Sequence, residues 1–236
     1  MRTSDLEDLF RLDVDDCDED DPLWTTLEVY HYMDDAQKQF ARDTDYFSDA
    51  STLEIVESAI TAGDPFVTLD PRVIKLRHAR LKAAGTKIYP STYDAMDEQM
   101  TTPNDYDSPW GRSGGVWWLN SVGKPRFAVT DMEDGKYRLA PIPQDDDILA
   151  MGVYRLPLED ITDSTPDLEI REEEYQRGLL HWMKYKAYGK NDADTYSDRL
   201  MKMALANHEE FIRKVKGYLR RIRFSSTPGT VRYGGL

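Results

Sequence analysis

Residues 126–142 read Arg-Phe-Ala-Val-Thr-Asp-Met-Glu-Asp-Gly-Lys-Tyr-Arg-Leu-Ala-Pro-Ile, and this stretch decides the fold class. Two short runs, 126–131 and 136–142, carry aromatic and branched side chains and flank Glu133-Asp134-Gly135, a turn signal. Upstream, 116–121 (Val-Trp-Trp-Leu-Asn-Ser) reads as another strand, joined to the first by Val122-Gly123-Lys124-Pro125. Trp117 and Trp118 would then point to opposite faces, one into the core and the other available to a partner. Downstream, 148–156 is apolar as far as Arg155 and reads as a fourth strand, so the pattern predicts a β-meander. Further upstream, 73–81 alternates from Ile74 onward, turns at Ala84-Gly85 and resumes at Lys87-Ile88-Tyr89, which predicts a hairpin. Ser91 with Asp94 three residues later predicts a short helix near 91–100, followed by a loop over 101–115.

Outside this centre the apolar period lengthens from two to helical. Leu23, Leu27, Tyr30, Met33 and Phe40 predict a helix over 23–43, with Asp20 or Asp21 as its cap and Pro22 in its first turn. Leu53, Val56 and Ile60 predict a second helix over 49–61, making an antiparallel hairpin with the first. After a polar linker over 157–169, helices are expected over 171–189 and 195–222. The latter would bury Leu200, Met203, Ala204, Phe211, Val215, Tyr218 and Leu219.

The expected architecture is therefore α+β: a bundle of amphipathic helices from both chain ends, a central antiparallel β-meander/hairpin domain and an extended C-terminal arm. The expected divisions are 1–22, an acidic segment expected to be mobile; 23–63, a helical hairpin; 64–157, the β-rich insertion; 158–222, the helices completing the bundle; and 223–236, the arm.

Charge adds a second pattern. The 236 residues hold 30 Lys+Arg and 44 Asp+Glu, a net −14. Residues 1–22 carry ten acids against two arginines, a net −8, whereas 212–236 carry seven bases and no acid, a net +7. An acidic chain argues against a general nucleic-acid coat, which needs clustered Lys and Arg. The lone cysteine, Cys17, permits no intramolecular disulfide and fits folding in a reducing compartment. It sits among acids, unlike the electropositive setting of a reactive thiolate. No run approaches the ~20 apolar residues of a membrane span, and the acidic N-terminus does not read as a secretory signal.

Catalytic and metal signatures are not recognisable. Phosphate-loop, dinucleotide, zinc-protease and nucleophile-elbow motifs are missing, and Gly123-Lys124 lacks the earlier glycine and is followed by Pro125. His31, His78, His181 and His208 lack i, i+4 partners, so packing or surface roles are expected. The acidic runs 145–147 and 15–21 lack the alternating ligands, glycine and closing Glu of a calcium loop, and solvated charge is the expectation. No metal and no cofactor is expected.

The C-terminal stretch is the sharpest feature: Arg220, Arg221, Arg223, Phe224, Val231, Arg232 and Tyr233 combine cations with apolar and aromatic groups. It suits nucleic-acid contact, or a peptide that orders on docking into a protein groove, or a free chain end.

Several segments together resemble the head–tail adaptor (connector) proteins of tailed bacteriophages, the ring below the portal. The resemblance rests on Trp24 to Arg42 with its Asp-Ala-Gln centre, on 71–80 (Pro-Arg-Val-Ile-Lys-Leu-Arg-His-Ala-Arg), and on 148–158 ending Tyr-Arg-Leu-Pro-Leu. It rests most on 170–196, with Glu174-Tyr175, Leu179-Leu180-His181-Trp182, Tyr185-Lys186-Ala187-Tyr188 and Asp192-Ala193-Asp194-Thr195-Tyr196. It runs in order over roughly 20–220, leaving the acidic segment 1–22 unmatched. The resemblance implies a non-enzymatic structural protein of the virion, made in the host cytoplasm. It implies a homo-oligomeric ring of twelve copies contacting the portal protein and tail or nozzle proteins, with no membrane partner. Genomic DNA would pass through without specific binding, and the C-terminal arm (Arg220, Arg221, Arg223, Phe224, Val231, Arg232, Tyr233) would engage the portal. The competing classes are a cell-wall hydrolase using a carboxylate pair and a nucleic-acid-binding module using the basic C-terminus.

Overall fold

Thr25 opens the first long helix with a reciprocal cap: its Oγ1 accepts the Glu28 N–H at 3.3 Å, and Glu28 Oε2 accepts the Thr25 N–H at 3.0 Å. In the computed structural model, which describes residues 1–18, 20–101, 117–191 and 195–225, this cap replaces the expected Asp20 or Asp21. A Ser/Thr with Glu three residues on satisfies two orphan N–H groups at once, which a lone Asp upstream of Pro22 does not. The chain divides into two units: 1–46 with 157–236, and 47–156.

The first unit is helical. It contains α1 (Thr3–Val14), α2 (Thr26–Thr44), α5 (Glu173–Tyr188) and α6 (Asp198–Ser225), numbered with α3 and α4 of the second unit in chain order. Leu6 and Phe10 of α1 are fully buried, as the short amphipathic pattern of Leu6, Leu9 and Phe10 at the start of the acidic segment 1–22 suggests. The reason is local: acids on one face of α1 leave Leu6 and Phe10 one turn apart on the other, and each buried side chain contributes about 1.5–3 kcal/mol. Phe10 meets Trp24 edge-on at 5.9 Å, Trp24 meets Tyr188 at 6.2 Å, and Trp24 Nε1 donates to the Ala187 carbonyl at 3.3 Å. Trp24 thus joins α1, the start of α2 and the end of α5 in one contact set. At the opposite end of α2, Phe40, Tyr46, Tyr175 and Phe211 form a second aromatic cluster with centroids 5.4–6.4 Å apart. The linker is more than polar chain, since Ile161 and Leu168 are buried within it.

After α1 the chain turns at Asp15, held in the left-handed region at φ 59°. Asp16 then points inward: its carboxylate accepts the Arg11 guanidinium at 2.9 Å and the Leu23 N–H at 2.8 Å. Burying Asp16 leaves Asp15, Asp18, Asp20 and Asp21 exposed on a fixed turn.

The second unit is a mixed sheet built on β8 (Asp147–Arg155). β1 (Ser48–Asp49) and β2 (Glu57–Ile60) pair antiparallel along one edge of β8, and β4 (Val73–Leu81) pairs along the other. The order continues through β5 (Lys87–Ser91), β6 (Phe127–Glu133) and β7 (Lys136–Ala140) to β3 (Phe66–Thr68). Among the strands of the described residues, β5 and β6 pair parallel and the other pairs are antiparallel, so the sheet is mixed rather than the expected antiparallel one. Leu76, Ala79 and Leu81 of β4, Ile88 of β5 and Leu149, Met151 and Val153 of β8 point into one core with Ile55, Val56 and Leu139. The 73–81/87–89 hairpin and the β6–β7 turn at Gly135 (φ 69°) agree with the sequence reading.

Three expectations are corrected. The predicted helix 49–61 is a single turn, α3 (Leu53–Val56), followed by β2, so 23–63 is not a helical hairpin. Val56 and Ile60 fit either period, and pairing with β8 selects the strand. The predicted strand at 116–121 is, over its described part, a 3₁₀ turn at Trp117–Leu119. There Trp118 is buried, and its Nε1 donates to Asp97 of α4 (Tyr93–Thr101) at 2.9 Å, a partner that a ladder position would not supply. The side chain of Trp117 and residues 102–116, which include most of the loop expected over 101–115, lie outside the described residues. Finally, β8 does not continue the meander after β7 but crosses to pair β4, because its apolar length needs neighbours on both edges. The cap of α4 is also one residue later than predicted: Thr92 Oγ1, not Ser91, accepts the Ala95 N–H.

Candidate functional site

Of the residues expected to act, Arg220, Arg221, Arg223 and Phe224 lie in the last turns of α6. Its covered stripe is Ala204, His208, Ile212 and Val215. Phe211 stacks on Phe40 at 5.9 Å and lies against Gly178 of α5, where an added Cβ would meet Phe211 Cζ at 2.1 Å. A glycine at 178 is what lets α5 and α6 approach there.

Two residues placed on the buried side by sequence are not: Met203 is 53% and Tyr218 55% exposed. Met203 is displaced by one position from the stripe that His208 occupies. Tyr218 continues the stripe, with Ile222 (48% exposed) one turn on, but past Val215 the cover thins and only Leu219 and Arg223 of the described residues stay half-buried. The apolar ridge therefore emerges from the unit at its C-terminal end.

Cations crowd this end. Arg213, Lys214, Lys216, Arg220, Arg221 and Arg223 follow Glu210 with no intervening acid. Lys214 is paired with Glu210 at 2.8 Å. One or two cations suffice to complement a helix C-terminus, so the surplus is presented to the surroundings. Arg223 differs from its neighbours: its guanidinium donates to the Asp45 carbonyl oxygen at 2.7 Å, at the left-handed residue that ends α2. It ties the last turn of α6 to the end of α2. Arg220 and Arg221 are exposed, and among the described residues no hydrogen bond or ion pair engages either. The helix also runs to Ser225, so Arg223 and Phe224 are helical rather than the start of an extended arm. The helical period simply continues past the last covered contact. Val231, Arg232, Tyr233 and the Phe224 side chain lie outside the described residues.

The other polar candidates have local structural uses. Asp146 accepts the Ala62 N–H at 2.8 Å and Asp147 accepts the Ala83 N–H at 2.9 Å, so the 145–147 run closes turns. His208 is buried against Trp182 (4.9 Å), with Nε2 3.3 Å from Asp43 Oδ2. Burial pushes its pKa down, and Asp43 only partly opposes this. Cys17 is exposed on the acidic turn. Among the described residues, no cluster of three or more His, Cys, Asp or Glu side chains is placed to hold a metal ion, and no helix is long and apolar enough to cross a membrane.

A model of the SU10 adaptor protein family matches residues 1–232, and the chain belongs to that family, a group of phage adaptor structural proteins. The match takes in the acidic segment 1–22 that the resemblance left unassigned. A search of curated proteins finds no match.

Proposed function

We propose that the chain is a head–tail adaptor of a tailed phage, a virion protein without enzymatic activity that forms a ring, of twelve copies by family resemblance, between portal and tail. The observation that carries this reading is the match to the adaptor family over 1–232. The end of α6 supplies the contact surface: Tyr218, more than half exposed, offers apolar area, and Arg220 and Arg221 offer exposed guanidinium groups for carboxylates of a portal groove. Val231, Arg232 and Tyr233 add a cation and two apolar side chains to that contact. The net −14 suits a ring through which DNA slides, because acidic walls repel phosphate and a basic lumen would act as a brake. Ring subunits meet head to tail, and the interface closes by rotation.

Co-sedimentation with purified portal rings tests this. The full chain should sediment with the portal. A chain lacking 224–236 should keep its cooperative unfolding but stay in the supernatant. Equal binding by both chains would remove the C-terminus from the contact.

A further inference from the structure

The second unit carries a surface of the opposite sign to the chain as a whole. Two register shifts in the β4–β8 ladder, between Val73 and Lys75 and between Leu76 and His78, alter the alternation of β4. Leu76, Ala79 and Leu81 stay in the core, and Arg77, His78 and Arg80 are all exposed. The His78 ring lies across Gly152 of β8, where an added Cβ would meet its Cε1 at 2.3 Å. Arg77 sits over the Tyr154 ring at 5.3 Å and Lys87 over the half-exposed Tyr89 ring at 4.7 Å. Most telling, Arg80 is the direct cross-strand partner of Lys87. Like charges facing each other on an exposed ladder repel, and pairs of opposite charge are the stabilising choice. Among the described residues no carboxylate pairs with Arg77, Arg80 or Lys87. The face is a prepared anion platform whose repulsion an incoming acidic group would relieve.

The chain also holds a matching acidic element. Asp15, Asp18, Asp20 and Asp21 are exposed on a turn fixed by the buried Asp16. A preset turn loses little conformational freedom on docking. We propose that Asp15, Asp18, Asp20 and Asp21 of one copy dock on the Arg77/Arg80/Lys87 face of the next copy, and that this contact sets the head-to-tail order of subunits. The inference rests on the ring reading given above. DNA is the weaker occupant: three or four cations release few counterions, and a chain of net −14 repels a polyanion on approach.

A charge exchange tests it. Sedimentation velocity is run on full-length wild type, R80E/K87E and D18K/D20K/D21K, alone and mixed in equal amounts, with portal rings present. Circular dichroism melts establish that each variant is folded. Each variant alone confronts like with like and should self-associate at least about tenfold more weakly than wild type. The equal mixture pairs acidic face with basic turn at one junction and basic face with acidic turn at the next, so it should regain assembly. If R80E/K87E alone assembles as wild type does, the contact is wrong although the ring stands. If wild type forms no oligomer even on the portal, the ring reading falls and the contact with it. If R80E/K87E abolishes binding to duplex DNA and leaves assembly unchanged, the face serves nucleic acid and the proposal is overturned.

Discussion

Asp49 Oδ2 accepts the Arg155 Nε–H at 2.7 Å with both side chains buried, joining the short edge strand β1 to the end of β8. Burial alone would raise the Asp49 carboxyl, but hydrogen bonds from the Ser51 N–H, the Arg155 guanidinium and Thr52 outweigh it. They hold the group well below the usual carboxylate range. A depressed folded pKa stabilises the protein above the unfolded value of about 3.9, and that stability is lost as pH falls further. Asp49→Ala removes the carboxylate that the buried Arg155 Nε–H donates to, and with it the acceptor of the Ser51 and Thr52 N–H groups. Urea unfolding at pH 7 should show a loss of about 3–5 kcal/mol, shrinking as the pH is lowered below 4.

Gly178→Ala probes the helical unit. The added methyl collides with Phe211, which is wedged between α5 and the ring of Phe40. Thermal unfolding should show a destabilisation of about 1–3 kcal/mol, the usual cost of overpacking. Phe211→Leu in the same background should recover part of it by freeing the ring's space.

The outline of both units was legible in sequence where one period ruled unopposed. α2, α5 and α6 carry long helical stripes, and β4, β5, β6 and β7 are bounded by Gly85 and Gly135, whose positive φ marks the turns. The errors fell where the local pattern admitted two answers. Val56 and Ile60 satisfy both periods, and only the β8 partner resolves them. Trp118 looked like strand material, but its indole N–H required Asp97, far away in sequence. The amphipathic pattern of Leu6, Leu9 and Phe10 was legible, but the partners that bury Leu6 and Phe10 lie far away in sequence. In the candidate site, the cationic run was readable directly. The different use of Arg223 and the uncovering of Tyr218 depend on where α2 ends and the α6 cover stops, and neither is a local property. The Arg80–Lys87 pair was invisible until the register of β4 and β5 was known.

Asp16→Ala should release the acidic turn. The substitution removes the acceptor of the Leu23 N–H and a carboxylate paired with Arg11, leaving a largely buried guanidinium with fewer partners. A stability loss of about 1–3 kcal/mol is expected. Amide hydrogen exchange should accelerate at Leu23 and through the turn more than in the second unit.

His208 and His181 set a mild acid sensitivity of the helical unit. Burial lowers the pKa of both, and Asp43 pulls His208 part of the way back. The unfolded chain therefore takes up protons first, and stability declines as pH falls below about 6.5. Melting temperatures between pH 7.5 and 5 should fall for wild type. His208→Gln should flatten that slope, whatever its effect at pH 7.5.

The central claim is that this chain is a ring adaptor seated on a portal through the end of α6. Electron microscopy of portal rings mixed with full-length chain, and separately with R220E/R221E, tests it most directly. The account predicts an added ring of density at one end of the portal with the native chain and bare portals with the variant. Bare portals with both chains would contradict it.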